Sequence, residues 1–212
     1  MRRPTRSLAL LLGLGLLVPA IGHAATWDLD PAHSSVAFAI RHMMISTVRG
    51  QFRTFTGKAV GDPASPSAAS IEASIDAASI DTSNEKRDAH LKTADFLDVE
   101  KFPKITFKSK KIEAAGAGKA KVTGELTLHG VTKEVVLDIE GPTPVIKDPM
   151  GNTKAGAHAS TKINRKDFGL VWNRPVDKAG GVLVGDEVKI QLDAELDRKA
   201  PATAAAPAAG RK

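Results

Sequence analysis

A chain of 212 residues with 42% apolar side chains is long enough to bury one substantial core and short enough that a single domain is expected. It has no cysteine, which removes disulfides, thiolate nucleophiles and cysteine-held metals. The formal charge of +6 is not a nucleic-acid footprint: of 30 Lys and Arg, three lie in residues 1–24 and four in 198–212, both segments without acids, leaving 23 basic against 24 acidic residues over 25–197.

The chain opens with Arg2, Arg3 and Arg6, runs through an apolar stretch from Leu8 to Ile21 and reaches small residues at Ala24 and Ala25. That layout predicts a secretory signal peptide over 1–24, cut after Ala24; the apolar run is shorter than the roughly 20 residues of a bilayer span, and polar Thr26 and Asp28 follow. Arg2-Arg3 lacks the rest of a twin-arginine motif. The folded body is expected over 25–198, and the Ala/Pro-rich 199–212 reads as a disordered tail.

Within the body, apolar residues recur at every second position: Val36, Phe38, Ile40; then Ile71, Ala73, Ile75. Thr82-Ser83-Asn84-Glu85 fits a capping box and predicts a helix from Ser83 to about Lys92, with a further turn over 94–101 before Pro103. The alternation resumes at Ile105 and Phe107, at Val122, Leu126 and Leu128, and at Val135, Leu137 and Ile139, with His129-Gly130 read as a tight hairpin turn. It is cleanest from Glu187 to Asp197, where Val188, Ile190, Leu192, Ala194 and Leu196 alternate with polar residues. Period-two alternation means strands with one wet and one buried face, and strands without intervening helices imply antiparallel pairing. About eight such strands, with a helical insertion around 83–100, predict an all-β protein closed as an antiparallel eight-stranded β-barrel, the size that holds side chains or one small ligand.

Candidate chemistry is thin. His33, His42, His90, His129 and His158 show neither HxH nor HExxH spacing, and no metal is expected. Ser34 and Ser35 beside His33 would point to opposite faces of a strand, and no GxSxG elbow is present. Asp76, Asp81, Glu85 and Asp88 flank a helix start, where capping accounts for them. No Gly-rich phosphate loop opens a helix. We therefore expect no catalytic residue and no cofactor. His42 shares parity with Val36, Phe38 and Ile40 and should point inward near a strand end. Small inward residues, Gly50, Ala73, Gly124, Ala157 and Ala194, leave interior volume, which is either a ligand cavity or space filled by larger neighbours.

Several motifs in order resemble the YceI-like proteins: Trp27-Asp28-Leu29-Asp30, His33-Ser34-Ser35-Val36, Ile40-Arg41-His42 and Val48-Arg49-Gly50-Gln51-Phe52. More specific are Ser79-Ile80-Asp81-Thr82, Arg87-Asp88-Ala89-His90-Leu91, Ala94-Asp95-Phe96-Leu97-Asp98-Val99 and Phe102-Pro103-Lys104-Ile105. The match continues through Gly124 to Thr132 and Asn164-Arg165-Lys166-Asp167-Phe168-Gly169, and closes with Val184-Gly185-Asp186-Glu187-Val188. The resemblance implies an elongated, lipocalin-like barrel exported to the periplasm, whose interior holds a polyisoprenoid or other long-chain amphiphile. It implies a carrier or scavenger rather than an established enzyme, transient contact with a membrane, and pairing as a homodimer. Phe96, Phe102 and Phe168 are expected to plug the barrel ends, and Arg87-Asp88 and Asn164 to Asp167 to form hydrogen-bonded corners.

On that reading an isoprenoid lipid or quinone tail would be lined by Val36, Phe38, Ile40, Phe52, Val122, Leu126, Leu128, Leu137, Val188, Ile190 and Leu192. The polar head would meet Arg41, His42 or Arg49. Two other functions fit the same sequence: an enzyme modifying that lipid at His42, and a packed barrel acting only through protein partners.

Overall fold

The computed structural model describes residues 24–63, 65–176 and 181–199. Apart from Ala24 and Lys199, the expected leader and tail lie outside the described residues. Among those described, no helix is long and apolar enough to cross a membrane.

Among the described residues twelve strands make one continuous sheet. They are β1 (Thr26–Leu29), β2 (Ser35–His42), β3 (Ser46–Phe52), β4 (Phe55–Val60), β5 (Ser70–Asp76), β6 (Ile80–Asp81), β7 (Lys104–Ala114), β8 (Lys119–Leu128), β9 (Val131–Glu140), β10 (Ile146–Lys147), β11 (Thr153–Asn164) and β12 (Val184–Arg198). Eleven of them make eight staves, and the two-residue β10 is an addition on β11. β1 and β2 are two halves of the first, β3 and β4 of the second, β5 and β6 of the third; β7, β8, β9, β11 and β12 complete the ring. β12 closes it by pairing with β11 along one edge and with β2 and then β1 along the other. The expected closed antiparallel eight-stranded barrel is therefore the observed one.

Local sequence explains the breaks. Between β1 and β2 the chain steps out at Asp30-Pro31 and returns at Ser34, whose hydroxyl accepts from the Glu195 amide at 3.0 Å. The Asp30 amide donates to the Glu195 carbonyl at 2.9 Å, so the interruption is tied to β12 on both sides. At His129-Gly130 both residues have positive φ, 51° and 73°, the type I′ geometry whose twist matches that of the flanking strands. The ring is thinnest between β9 and β11, which pair only at Asp138–Glu140 against His158–Ser160. Past those rungs the two strands diverge. A 3-10 turn over Arg165–Phe168 fills the gap, with Phe168 buried among Val131, Val135, Ile163 and Leu170.

Helix α1 (Glu85–Leu91) and the turns that follow cover this same end of the barrel. Its cap differs from the expected capping box. Asn84 is the N-cap, its side chain accepting from the Arg87 amide at 3.0 Å. Thr82 is buried and bonded elsewhere. Its amide donates to Asp88 at 2.9 Å, its hydroxyl donates to Asp88 at 2.5 Å, and the same hydroxyl accepts from Arg87 Nε at 2.6 Å. A buried hydroxyl takes partners wherever they satisfy it best, and here they come from the first helical turn rather than from the cap.

Two inward glycines accommodate aromatic rings. A Cβ on Gly50 would lie 2.5 Å from the Phe38 ring, and one on Gly124 would overlap the Phe107 ring and lie 2.6 Å from the Lys108 carbonyl. The Lys108 carbonyl belongs to the sheet and cannot withdraw. Gly124→Val is therefore expected to destabilise the fold by about 1–3 kcal/mol through overpacking. A denaturation midpoint equal to the wild type's would contradict this account of the position.

Candidate functional site: an apolar barrel cavity

The inward residues of β2, β7, β8, β9, β11 and β12 surround a cavity of about 480 Å³. Many are apolar and inward yet only half-buried, among them Phe38, Ile40, Leu137, Val188, Ile190 and Leu192, because the surface they expose faces the cavity. In a filled core these same positions would be fully buried. Small side chains account for the volume: Ala59, Ala73, Ala157, Ala159 and Ala194 form much of one half, while the Phe rings over Gly50 and Gly124 fill theirs.

The two ends differ. Where β1 begins and β12 finishes, Trp27 is 4% exposed with its indole N–H donating to the Gly61 carbonyl, and a separate apolar cluster of Ile112, Ala120 and Val122 packs solid. The other end carries the polar and aromatic groups. Arg41 and His42 come from β2, Thr82 from the segment before α1, Arg87 and His90 from α1, and Trp172 and Leu183 from the segment before β12. His90 stacks edge-on against Phe96 and Trp172, centroids 5.1 Å apart in each case, and its Nε2 lies 2.7 Å from an Asp95 carboxylate oxygen.

Arg165 organises that end. It is 2% exposed and faces carbonyls rather than water. Nε donates to Gly185 at 2.8 Å, Nη1 donates to Leu170 and to Trp172, and Nη2 reaches Val184 and the Asp186 carboxylate, the last at 3.3 Å. Burial pushes its guanidinium below the ordinary arginine value, and Asp186 partly offsets this. Asn173 adds a second clamp, accepting from the Val184 amide at 3.0 Å and donating to its carbonyl at 2.7 Å. Together they hold residues 169–174 across the barrel mouth.

Of the residues expected to line a ligand, Val36, Phe38, Ile40, Phe52, Leu126, Leu128, Leu137, Val188, Ile190 and Leu192 surround the cavity. Val122 does not: it has the inward parity of Leu126, but it lies two rungs deeper, in the solid cluster at the closed end. Arg41 and His42 are at the mouth, whereas Arg49 sits on the exposed outer face of β3, opposite Ala39. Arg41 donates to the Thr47 hydroxyl at 3.0 Å and to the Met44 carbonyl at 2.6 Å, so its fork holds the β2–β3 turn. Trp172, Leu183, His90, Leu91, Ile163 and Leu170 also line the cavity and escaped the sequence reading. All but Ile163 lie in helical or irregular segments, where no two-residue period marks a face; Ile163 is inward near the end of β11, whose inward positions before it are Ala155, Ala157, Ala159 and Thr161.

A second polar cluster lies at the opposite end, outside the cavity. Asp30, His33 and Glu195 bring ligand-type atoms together, but Lys154 Nζ stands among them, 3.5 Å from Asp30, 2.8 Å from Glu195 and 2.6 Å from Asp197. The ammonium supplies the positive charge a metal would bring. The His33 hydrogen bond holds the Asp30 carboxyl down at about 2 from an ordinary 3.8, and the same bond raises His33 above 6.5. Asp30 therefore contributes stability above its ordinary value and loses it as pH falls through about 2. Protonated His33 contributes below 6.5 and loses its share as pH rises through its raised value. The tie is at full strength only between those limits. The melting-temperature gap between wild type and His33→Gln should be widest near pH 5 and shrink by about pH 9. A gap that grows with pH would mean the sign is wrong.

Comparison with known proteins supports one assignment. The YceI-like domain model matches residues 27–196. A UPF0312 protein of Staphylococcus aureus is 40% identical over 171 residues, covering 80% of this chain and 96% of its own, and one of Vibrio cholerae is 36% identical over 166 residues, covering 76% and 87%. Among solved structures, BcnA of Burkholderia cenocepacia superposes with a TM-score of 0.67 at 26% identity over 79% of this chain and 98% of that one. A Campylobacter jejuni YCEI protein gives 0.64 at 34% identity over 76% and 91%. A polyisoprenoid binding domain from Saccharophagus degradans shares the fold, with a TM-score of 0.57 at 14% identity over 82% and 98%. With a family model spanning nearly the whole barrel and relatives this similar over most of their length, the chain belongs to the YceI-like family.

Proposed function

We propose that this protein is a periplasmic carrier or scavenger that binds a long-chain isoprenoid lipid or quinone inside its barrel and performs no chemistry on it. The observation carrying the proposal is the cavity: about 480 Å³, walled almost wholly by apolar side chains, with most of its polar groups gathered at one end and Lys58 and Glu72, paired with each other at 2.9 Å, the charged exceptions. That volume falls in the range of about 300–1,000 Å³ typical of small-molecule sites. An apolar lining with few polar groups selects a chain rather than a polar metabolite, and each buried CH₂ contributes about 0.8 kcal/mol, so affinity comes from length. The lining branches at Val, Ile and Leu and bears Phe rings, which suits a branched tail. The Saccharophagus degradans domain of the same fold is described as binding a polyisoprenoid, which accords with this reading.

In the proposed complex the tail runs along Phe38, Ile190, Leu192 and the alanines opposite them, and the head stays near His42 and Trp172. His42 is the better head contact, since Arg41 is engaged with the turn and Arg49 faces outward. Export through the leader over 1–24 would place the carrier between membranes.

The test is mass spectrometry of an organic extract of mature protein purified without detergent, with denatured protein as the control for adventitious lipid. A long-chain isoprenoid in near-stoichiometric amount is the expected result. An empty barrel that also refuses added ubiquinone and polyprenol would overturn the proposal.

A further inference from the structure

The turn joining β2 to β3 has the backbone of one sequence and the side chains of another. The Ile45 amide donates to the His42 carbonyl at 3.1 Å, and the two central residues, Met43 and Met44, have φ of 49° and 61°. That is a type I′ turn, whose positive φ at both centres is best met by Asn-Gly. Methionine tolerates it poorly, because its Cβ crowds the carbonyl in the left-handed region. Nor is the misfit offset by packing: Met43, Met44 and Ile45 are 36%, 56% and 77% exposed.

The turn is one part of a larger apolar rim. The Met43 amide donates to Leu183 at 2.8 Å, the Leu183 amide donates to Arg174, Pro175 pairs with Val182, and the Val176 amide donates to Gly181. Val171, Val176 and Val182 are exposed there as well. Directly behind stand His42, Trp172, Leu183 and Val184, which line the cavity. Basic side chains outnumber acids around this rim. Arg41 adjoins the turn, Arg49 lies on the outer face of β3 with no acid in residues 41–50, and Arg174 stands over the Trp172 ring; residues 170–183 contain Arg174, Lys178 and one acid, Asp177, and Asp186 beyond them accepts from Arg165 and Lys166. Exposed apolar side chains flanked by Arg41, Arg49 and Arg174 fit the interface of an anionic bilayer, where apolar tips enter the acyl boundary and cations meet the headgroups.

We propose that the Met43-Met44-Ile45 turn, with Val171, Val176 and Val182, docks the barrel mouth on an anionic lipid surface, so that a ligand passes between bilayer and cavity without crossing water. This rests on the carrier reading. A second exposed trio at the closed end, Val145, Ile146 and Met150, lines no cavity and lies beside Asp148, so it serves as the control.

The experiment is flotation of the mature, full-length protein with vesicles of phosphatidylglycerol and phosphatidylethanolamine. Met43→Asn/Met44→Gly supplies the residues the turn prefers, so its melting temperature should hold or rise while partition to vesicles falls at least about ten-fold. Ile146→Thr/Met150→Gln should float like the wild type. Turn and wild-type proteins that float equally, or a wild type that ignores anionic vesicles, would overturn the docking proposal, as would partition indifferent to replacing the anionic lipid by phosphatidylcholine. Ubiquinone quenching of tryptophan fluorescence in vesicle-free solution separates this from the carrier reading. The turn variant should retain that binding. If neither protein binds quinone or polyprenol while flotation still differs, docking stands and the carrier reading falls.

Discussion

Phe38→Glu is expected to empty the barrel. Phe38 lies at the centre of β2, opposite Ile190 on β12, its ring passing over Gly50 and against Phe52 at 5.8 Å between centroids. A carboxylate there sets an unpaired charge in an apolar enclosure. It then either draws water into the path of the proposed tail or takes up a proton, and both outcomes remove the continuous apolar wall that binds a chain. Loss of the ring also leaves Gly50 facing empty space. Copurifying lipid should fall at least about ten-fold, equivalent to about 1.4 kcal/mol of binding. A destabilised barrel would mimic this loss, so Ala194→Phe supplies the second arm. Ala194 lies opposite Ala157 across β12 and β11 and borders the cavity. A ring there occupies the ligand's volume without burying charge. A folded Phe38→Glu and a folded Ala194→Phe that both retain stoichiometric lipid would show that the tail lies elsewhere.

Arg165→Lys is expected to cost about 3–5 kcal/mol, the range for removing one partner from a buried, hydrogen-bonded charged group. The guanidinium spreads its donors over the carbonyls of Gly185, Leu170 and Trp172 and the carboxylate of Asp186. An ammonium on a flexible stem reaches only some of these and leaves buried carbonyls unpaired, so conserving the charge does not conserve the interaction. For a domain of this size each kcal/mol moves the melting temperature by about 2–4 °C, which predicts a drop of about 6–20 °C. Because the same bonds hold Leu170, Trp172 and Val184 at the mouth, lipid retention should weaken too. A drop of under about 2 °C would mean that water substitutes for the lost donors.

The difference between the ten expected lining residues and Val122 shows how far parity reaches. Leu126 and Val122 occupy one strand, face the same way and read identically in a two-residue period. Their neighbours separate them: Leu126 pairs with Phe107 and borders the open half, while Val122 pairs with Ile112 and is sealed. Arg49 illustrates the same limit. It is near the mouth in sequence, yet its register opposite Ala39 turns it outward.

Alternation by itself therefore marked β2, β5, β7, β8, β9 and β12 as strands and the side of the sheet that their residues face, because a strand with one wet face must repeat every two residues. It also marked the His129-Gly130 turn and the helical insertion, whose signals are local, and the motif order carried the family. Tertiary structure alone decided where the interior is empty. Depth along a barrel depends on the register of eight staves and on which end Trp27 seals, and neither is a property of any short segment. It also decided what covers the mouth: residues 165–176 have no period, and their position comes from the buried Arg165, whose partners lie up to 21 residues away, and from Asn173. Long-range hydrogen bonds leave no local pattern in a chain, so that end of the barrel became readable only once folded.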